Sequence, residues 1–438
     1  MNRIGLRFLS TTARRMALTQ EQIAIVKSTA PVLKEHGETI TALFYKNMLT
    51  ENPSLKNIFN QRAQQTGAQP RALATAVLAY ATHIDDLGKL SHAVERIAHK
   101  HASLFVEPAQ YPIVGKYLMG AIGEVLGDAL TPEIAAAWTA AYGQLADVFI
   151  GREAQLYADN GSWAGWRRFR VERRVAETAA VTTFYLAPVD GVPLPVYRPG
   201  QYVSLQVPVP QLSGLLQSRQ YSLSEAPRAG AAHYRISVKR DVVADPAAVA
   251  AGREPGTVSN LLHDQFQVGD EVELSHPQGE FFVDPTDATK SAAPLVLVSA
   301  SVGATPLVSI LDATLSPESK TRGRPTTWIQ CGSSTGALCF VDHVRSVCRD
   351  HKNVRAHVFV DQAGEGDRPG EDFDFASQLD LGKLDGVQDL FLDQPQAEYY
   401  LCGPEPWMVA VRARLAELGV DWERMHLELF ATGDVPGQ

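Results

Sequence analysis

The sequence contains few cysteines, no long apolar run and no excess of basic charge. Its four cysteines all lie in the last third of the chain without Cys-x-x-Cys spacing, so neither a disulfide framework nor a zinc site is expected. No apolar stretch approaches the ~18 residues of a membrane-spanning helix, which predicts a soluble globular protein without a transmembrane segment. The net charge of −9 argues against nucleic acid as a partner.

Acidic residues are also missing from the first twenty residues. Arg3, Arg7 and Arg14 form one stripe of a predicted helix, opposite apolar residues, and no compact hydrophobic region follows. This composition is typical of a mitochondrial transit peptide, and the alternative is an unstructured tail upstream of a second start at Met16. We expect a leader over residues 1–16, import into the mitochondrial matrix, and a possible cytosolic form that begins at Met16.

A length of 438 residues predicts two or three domains. The first, over residues 17–158, is predicted to be all-helical, because Thr19-x-x-Gln22 resembles a capping box and no strand pattern follows. Apolar residues recur at helical spacing over 38–49, 71–87, 91–105, 111–126 and 133–157.

His101 shares the apolar face of its helix, whereas His99 lies on the opposite, polar stripe. A lone inward histidine is more often a satisfied core residue than a metal ligand. However, Glu153 and Tyr111 also face inward in their own helices, and a buried carboxylate needs partners such as an imidazole and a phenol. A carboxylate bonded to an iron-ligating imidazole would raise the electron density at the metal.

Two further polar residues stand in apolar surroundings in this domain. Tyr45 is the polar tip of a largely apolar helix, and Gln69 precedes the helix that carries Leu73. They are either a surface tyrosine and a loop glutamine, or a pair of hydrogen-bond donors above an iron-bound ligand.

Residues 163–288 alternate apolar and polar residues between turn signals, which predicts an antiparallel β-barrel. Tyr202 begins one such run, and Arg219-Gln-Tyr-Ser222 lies in another. A flavin requires an arginine, aromatic faces and a hydroxyl of this kind, although an ordinary barrel rim has the same composition. Gly256-Thr-Val-Ser259 opens a helix and could bind a phosphate, or Ser259 could be an ordinary N-cap.

Residues 289–438 are predicted to form an α/β nucleotide-binding domain. The apolar strand at 295–298 leads into the small-residue turn Ser301–Pro306 and a helix, and the strand at 399–401 leads into Cys402–Pro404. Two such turns in one βαβ array indicate a dinucleotide-phosphate site. No arginine adjoins the turn Cys331–Ser334, which favours NADH over NADPH.

Motifs along the chain resemble those of flavohemoglobins. They include Phe44-Tyr45, Ile58-Phe59-Asn60, Gly67-Ala-Gln69, Lys100-His101, Gln110-Tyr111 and Phe149-Ile-x-Arg-Glu153. The resemblance implies a globin domain with heme b, in which His101 is the proximal iron ligand. It also implies that Tyr111 and Glu153 form a hydrogen-bonding relay on the proximal side and that Tyr45 and Gln69 lie on the distal side. Phe59 and Leu73 would form walls of the heme pocket, and Lys100 would influence the redox poise of the heme.

In the reductase part, the resemblance to ferredoxin-reductase-like modules implies FAD and NAD(P)H as cofactors. The implied flavin positions are Tyr202, Arg219, Gln220, Tyr221, Ser222, Gly256, Val258, Ser259 and Phe430. The implied nicotinamide-dinucleotide positions are Ser301, Gly303, Ala304, Thr305, Pro306, Cys402, Gly403 and Pro404, and Glu428 is placed near both flavin and heme.

The sequence departs from that pattern twice. Ser301-Val-Gly303 replaces Gly-Val-Gly, and Phe430-Ala-Thr432 replaces Phe-Gly-Pro. Both changes are expected to be tolerable if the backbone at Ser301 does not adopt a positive φ.

The resemblance implies nitric oxide dioxygenation as the reaction. NAD(P)H would reduce FAD, FAD would reduce the heme iron, and heme-bound O2 would convert nitric oxide to nitrate, which detoxifies it. We expect a monomer with nitric oxide and O2 as substrates. One alternative is a gas-binding or sensing protein whose reductase keeps the iron ferrous. A second alternative is a peroxide- or quinone-reducing flavin module in which the heme is incidental.

Overall fold

The structure is a computed structural model, and it describes residues 17–243, 252, 254–430 and 433. The predicted leader over 1–16 and the Ala431-Thr432 pair lie outside these residues.

The N-terminal part of the described chain is helical, as predicted. Its first helix opens with the expected capping box, in which the Gln22 N–H donates to Thr19 Oγ1 at 3.1 Å and the Thr19 N–H donates to Gln22 Oε1 at 3.0 Å. The α-helices are α1 (Gln20–Ser28), α2 (Ala30–Glu51), α3 (Gln61–Gln65), α4 (Ala68–Thr82), α5 (Ser91–Ser103), α6 (Tyr111–Leu126) and α7 (Pro132–Asp159).

One helix boundary differs from the prediction in a way that matters for the site. Gly67 has a φ of 72°, so the chain turns there and α4 begins at Ala68. Gln69 therefore lies in the first turn of α4 and not in a loop before it. The same helix ends at Thr82, earlier than the apolar spacing predicted, and a short 3₁₀ turn over Leu87–Leu90 continues the apolar pattern.

The apolar core of the helical part consists of two clusters. The larger is built on α2 and includes Phe44, Tyr45 and Met48, with Leu73 and Phe59 packed against it. The smaller is formed by α5, α6 and α7 and contains Ala98, Ala102, Tyr111, Ala146, Phe149 and Leu156. The smaller cluster is where the inward-facing residues of α5 meet the C-terminal half of α7.

The middle of the chain forms the predicted antiparallel barrel. Its strands are β1 (Arg167–Ala176), β2 (Val181–Pro188), β3 (Tyr202–Val209), β4 (Leu215–Ser222), β5 (Tyr234–Lys239) and β6 (Glu271–Leu274), and helix α8 is Thr257–Gln265. The strand order is β4-β3-β6-β1-β2-β5, and an antiparallel bridge from Leu223 to Ile236 joins the two ends. Alternate residues such as Val203, Leu205 and Val207 fill the interior.

The last part is a parallel sheet covered by helices on both faces. Its strands are β7 (Leu295–Ala300), β8 (Thr326–Gly332), β9 (Val354–Val360), β10 (Phe375–Ala376), β11 (Glu398–Cys402) and β12 (Met425–Glu428). Its helices are α9 (Ala304–Leu315), α10 (Val341–Asp350) and α11 (Glu405–Glu417). The strand order is β10-β9-β8-β7-β11-β12, so the chain direction across the sheet reverses between β7 and β11. Ligands of such sheets bind outside the carboxyl ends of the strands at this reversal.

No helix in the part of the chain that the structure describes combines the length and hydrophobicity needed to cross a membrane.

Candidate functional site

His101 lies near the end of α5, with one ring nitrogen engaged by the protein. Its Nδ1 is 2.7 Å from Glu153 Oε1 and 3.1 Å from the Tyr111 hydroxyl oxygen. A proton on Nδ1 that is donated to the carboxylate directs the lone pair to Nε2, on the opposite side of the ring. The Phe149 ring packs against the imidazole at 5.5 Å between centroids and fixes its plane. The structure thus leaves Nε2 of His101 as an oriented atom that could ligate a metal.

Glu153 is the centre of this arrangement. Its side chain is only 1% exposed, and Oε1 also accepts a hydrogen bond of 2.6 Å from the Tyr111 hydroxyl. Burial and the Glu153 charge both raise the pKa of Tyr111, so the phenol stays protonated and remains a donor. Glu153 Oε2 is buried and has no hydrogen-bond partner among the described residues, so the carboxylate depends on His101 and Tyr111.

Tyr45 and Gln69 meet in the larger helical cluster. The Gln69 amide donates to the Tyr45 hydroxyl oxygen at 3.4 Å, which leaves the tyrosine proton available for a second acceptor. Burial raises the pKa of Tyr45 to about 12, so the hydroxyl keeps this proton throughout the physiological pH range. The Phe59 ring lies edge-on to Tyr45 at 5.5 Å, and Leu73 packs against the same cluster. The two residues assigned to distal positions and the two assigned to the heme walls therefore lie together.

The residues proposed for the flavin lie on two paired barrel strands. In the β3–β4 register, Tyr202 faces Ser222 and Ser204 faces Gln220. Tyr202 is buried, and Gly279 approaches its ring so closely that a side chain there would begin 3.1 Å from it. Tyr221 has a buried hydroxyl with no hydrogen-bond partner among the described residues. These strands thus present an aromatic surface and unsatisfied polar atoms, the donor set that a flavin requires.

A cleft of about 760 Å³ adjoins these strands and includes Arg219 and Gly256. Burial lowers the pKa of Arg219, although the guanidinium remains a cation. The cleft has a second arginine that the sequence did not indicate: Arg62 reaches over from α3 of the helical part and pairs with Asp241 at 3.1 Å. An anionic ligand would thus meet guanidinium groups from both sides.

The interpretation of Ser259 as an ordinary N-cap is wrong. Gly256 is the N-cap of α8, and the Ser259 hydroxyl instead accepts from the backbone N–H of Asp241 at 3.3 Å. Val258 is buried in the barrel core, so only its backbone is available to a ligand. The turn therefore offers backbone N–H groups at a helix start.

The two small-residue turns meet at the sheet's reversal point, as the spacing predicted. Gly303 follows β7 and lies against Cys402, where an added Cβ would be 2.0 Å from the Cys402 carbonyl oxygen. Only glycine fits at this approach. Ala304, Thr305 and Pro306 are buried in the first turns of α9, and Cys402, Gly403 and Pro404 lead into α11. The helix start and the neighbouring turn form one surface for a dinucleotide phosphate.

The condition under which the Ser301 substitution was expected to be tolerable is not met. The φ of Ser301 is 55°, in the left-handed region that favours glycine. The Lys239 ammonium of β5 donates to Ser301 Oγ at 2.7 Å, so the barrel holds this residue in place. The serine substitution is therefore accommodated by a partner 62 residues away in sequence.

A second cleft, of about 410 Å³, lies between the barrel and the nucleotide domain. It is lined by Arg235 from the barrel and by Thr335, Phe340 and His343, and the Arg235 guanidinium lies 5.7 Å from the Phe340 ring centre. No arginine adjoins the Cys331–Ser334 turn in sequence, but the fold brings one to the same side of the domain. The local sequence around Cys331–Ser334 therefore does not distinguish NADH from NADPH, because Arg235 approaches from the barrel.

Charged residues converge where the three parts meet. Burial lowers the pKa of Lys100, the nearby Arg219 and Arg96 charges lower it further, and Glu428 raises it. Burial and the Glu280 carboxylate raise the pKa of Glu428 well above its usual value, against the opposing charges of Arg96 and Lys100. Lys100 and Glu428 were identified from the sequence, whereas Arg96 and Glu280 were missed. Phe430 is 49% exposed and lies two residues after Glu428, the last residue of β12.

The part of the polar stripe of α5 that carries His99 does not face solvent, contrary to the sequence interpretation, whereas His92 at the start of the helix is exposed. His99 is 8% exposed, and its Nδ1 contacts the Gln278 side chain at 2.6 Å and the Gly279 N–H at 3.1 Å. The barrel covers this face. Interfaces between domains are more polar than domain cores, so helical periodicity alone does not distinguish a covered polar stripe from a solvated one.

Comparisons with known proteins agree with this architecture. The globin family profile matches residues 42–149. The flavohemoproteins of Bordetella pertussis and Rhizobium meliloti are 48% and 43% identical over 422 and 417 residues, which are 95% and 94% of this chain and 100% and 98% of theirs. The crystal structure of a Malassezia yamatoensis flavohemoglobin with bound FAD and heme has a TM-score of 0.81 at 28% identity, covering 95% of this chain and 100% of that one.

A more distant structure shares only the fold of the C-terminal parts. The cytochrome b5 reductase domain of Ulva prolifera nitrate reductase has a TM-score of 0.51 at 19% identity, covering 60% of this chain and 97% of that domain.

Proposed function

The chain belongs to the flavohemoprotein family, and from this membership we propose that it catalyses the dioxygenation of nitric oxide with electrons from NAD(P)H. Two molecules of nitric oxide and two of O2 would give two nitrate ions for each NAD(P)H oxidised, which detoxifies nitric oxide. The observation that carries the proposal is the hydrogen-bonded set of His101, Tyr111 and Glu153 in a chain that also contains an antiparallel barrel and a parallel-sheet domain of the reductase type.

The helical part fits heme b. His101 would be the iron ligand, because Glu153 and Tyr111 hold its Nδ1 and leave Nε2 for the metal. When bound, the heme supplies the site where O2 is held and activated. The chain contributes a strongly donating proximal imidazole, and Tyr45 contributes a hydroxyl proton that Gln69 does not consume.

The barrel fits FAD. The unpaired buried hydroxyl of Tyr221 matches the polar edge of a flavin, and Arg219 with Arg62 matches its pyrophosphate. The nucleotide domain fits NAD(P)H at the turns Ser301–Pro306 and Cys402–Pro404. When bound, NAD(P)H would supply a hydride. FAD would accept the hydride and release its two electrons one at a time.

We propose that Lys100 and Glu428 tune the transfer of electrons from flavin to heme. Lys100 is next to His101 in sequence, and Glu428 ends β12 beside the barrel. Burial raises the pKa of Glu428 and lowers that of Lys100, so both groups are shifted toward their neutral forms at this junction.

The proposal is tested by supplying NADH or NADPH, O2 and nitric oxide to purified holoprotein. We expect sustained NAD(P)H oxidation that depends on nitric oxide. Nitrate should be the product, with two nitrate ions formed for each NAD(P)H oxidised. A gas sensor would show no sustained NAD(P)H consumption under these conditions. A flavin-only reductase would consume NAD(P)H at the same rate whether or not the heme ligand His101 is present.

Glu153→Gln is expected to raise the midpoint potential of the heme. The substitution removes the negative charge that accepts from His101 Nδ1, so the imidazole becomes a weaker donor and the ferrous state is favoured. A potentiometric titration followed by absorbance measures the change. Glu124→Gln is the matched control, because it removes the same charge from the exposed face of α6. Equal potentials in the two variants would contradict the assigned role of Glu153.

The leader is a separate proposal, supported by the arginine stripe and the absence of acids in the first twenty residues. Met1–Arg15 fused to a fluorescent reporter is expected to carry the reporter into mitochondria in a eukaryotic cell. Replacing Arg3, Arg7 and Arg14 together with glutamine should abolish the import. A diffuse signal from the unaltered fusion would contradict the proposal.

A further inference from the structure

The face of α5 that meets the barrel carries an uninterrupted chain of hydroxyl hydrogen bonds. The Gln220 amide donates to Ser204 Oγ at 3.2 Å, Ser204 Oγ donates to Ser103 Oγ at 2.9 Å, and Ser103 Oγ donates to the Lys100 carbonyl oxygen at 2.8 Å. We call Gln220, Ser204 and Ser103 the hydroxyl chain. Ser103 and Ser204 are fully buried, and each hydroxyl both accepts and donates.

The two ends of the hydroxyl chain lie in the two cofactor sites. Gln220 belongs to the strand pair assigned to the flavin, and Lys100 immediately precedes the proximal ligand His101. Because every hydroxyl uses both its proton and a lone pair, a shift of α5 along the barrel would break at least one bond in a buried place. An unsatisfied buried polar group costs about 1–3 kcal/mol, so the chain fixes the register of α5 on β3.

A second contact, one helical turn earlier on α5, joins the same elements. The side-chain amide of Gln278 lies 2.6 Å from His99 Nδ1 on one side and 2.9 Å from His276 Nδ1 on the other. An amide between two imidazoles donates to one and accepts from the other. Gln278 also pairs with Tyr202 through both backbone groups, at 2.8 and 2.9 Å. The second contact therefore connects α5 to the start of β3, the strand that also carries Ser204.

We propose that these two contacts, through Ser103 and His99, position the heme-bearing helix relative to the flavin strands and thereby set the rate of electron transfer from FAD to heme. Ser103 and His99 are positioning residues, since they act through Lys100 and His101 on one side and through Gln220 and Tyr202 on the other. The inference rests on the proposed function for its cofactors, but it needs only the internal electron transfer and not the reaction with nitric oxide.

The test compares two steps in the full-length holoprotein by anaerobic stopped-flow mixing with NADH in the presence of carbon monoxide. Flavin bleaching reports hydride transfer, and the carbon monoxide complex reports heme reduction. In Ser103→Ala and in Ser204→Ala we expect flavin bleaching within about twofold of the unaltered rate and heme reduction slower by about tenfold, because small displacements of reacting groups have large kinetic effects. His99→Leu should have the same selective effect through the second contact.

Two measurements distinguish a changed position of α5 on the barrel from a general destabilisation of the protein. Ser103 and Ser204 belong to one hydrogen-bonded chain, so the double variant should be no slower than the slower single variant. The flavin fluorescence lifetime of the oxidised holoprotein, which heme quenches in a distance-dependent way, should lengthen in each variant without any turnover. Ser91→Ala and His92→Leu are matched controls, since both lie exposed at the start of α5.

Unchanged heme reduction in Ser103→Ala, Ser204→Ala and His99→Leu would overturn the inference. Equal slowing of flavin bleaching and heme reduction would also overturn it, because the contacts would then act within the flavin site. If Ser103→Ala does not yield folded protein, Ser204→Ala tests the same bond from the barrel side. Unaltered protein that reduces its heme but does not consume nitric oxide would defeat the proposed function and leave this inference intact.

Discussion

His101→Ala is expected to give folded protein that retains FAD and contains little heme. The substitution removes the ring whose Nδ1 is fixed by Glu153 and Tyr111, and with it the oriented Nε2 atom. Glu153 is only 1% exposed, and of its two hydrogen-bond donors His101 and Tyr111, the variant keeps only the Tyr111 hydroxyl. Some loss of stability in the helical part is therefore expected as well, about 1–3 kcal/mol for a buried polar group that loses a partner.

Heme content per FAD, measured from absorbance after extraction, checks this prediction. His92→Ala is the control, because His92 lies exposed on the same helix. His99→Ala provides the sharper comparison: His99 is buried against Gln278 of the barrel, so its loss should weaken the domain contact and leave heme content near normal. Heme lost from His99→Ala and retained in His101→Ala would reverse the assignment of the ligand.

Tyr45→Phe is expected to release O2 at least tenfold faster and to lose most nitric oxide consumption. The variant lacks the hydroxyl proton but keeps nearly the whole ring, so packing against Phe44 and Phe59 should survive. A hydrogen bond to a charged group contributes about 1.5–3 kcal/mol, which corresponds to about tenfold to a hundredfold in ligand retention. Flavin reduction should be unchanged, since it occurs in the other two domains.

Flash photolysis of the O2 complex together with measured nitric oxide consumption separates ligand retention from turnover. Tyr80→Phe is the matched control, because Tyr80 is equally buried but donates to the Ala141 carbonyl oxygen at 2.8 Å, within the helical core. Because the pKa of Tyr45 is raised to about 12 by burial, the O2 dissociation rate should also stay constant from neutral pH to about pH 10. An unchanged dissociation rate with full turnover in Tyr45→Phe would make Tyr45 structural and direct attention to Gln69.

Helical periodicity and turn composition were sufficient to predict the three-part fold and much of the candidate site. The inward positions of Glu153 and Tyr111 follow from spacing alone, because a helix buries one face whatever its partner is. The two small-residue turns could be placed together for a similar reason, since the carboxyl ends of parallel strands meet at one edge.

The remaining features depend on contacts between residues that are distant in sequence. The polar stripe with His99 appears solvated in any local window, and only Gln278, 179 residues away, shows that it is covered. Arg62 contacts Asp241 across the same number of residues, and the positive φ of Ser301 is supported by Lys239 of another domain. Serine rarely adopts this conformation, so the residue type gave no indication of it.

The junction between the helical part and the barrel contains serine hydroxyls, an amide and imidazoles, and aromatic contacts such as that of Phe105 with His276 are also present. A surface of this kind remains compatible with water when its partner is absent, unlike an aliphatic patch that would promote aggregation. For the same reason, a different reductase grafted onto this globin would require matching hydrogen-bonding groups at a few positions, with no need to redesign a hydrophobic core.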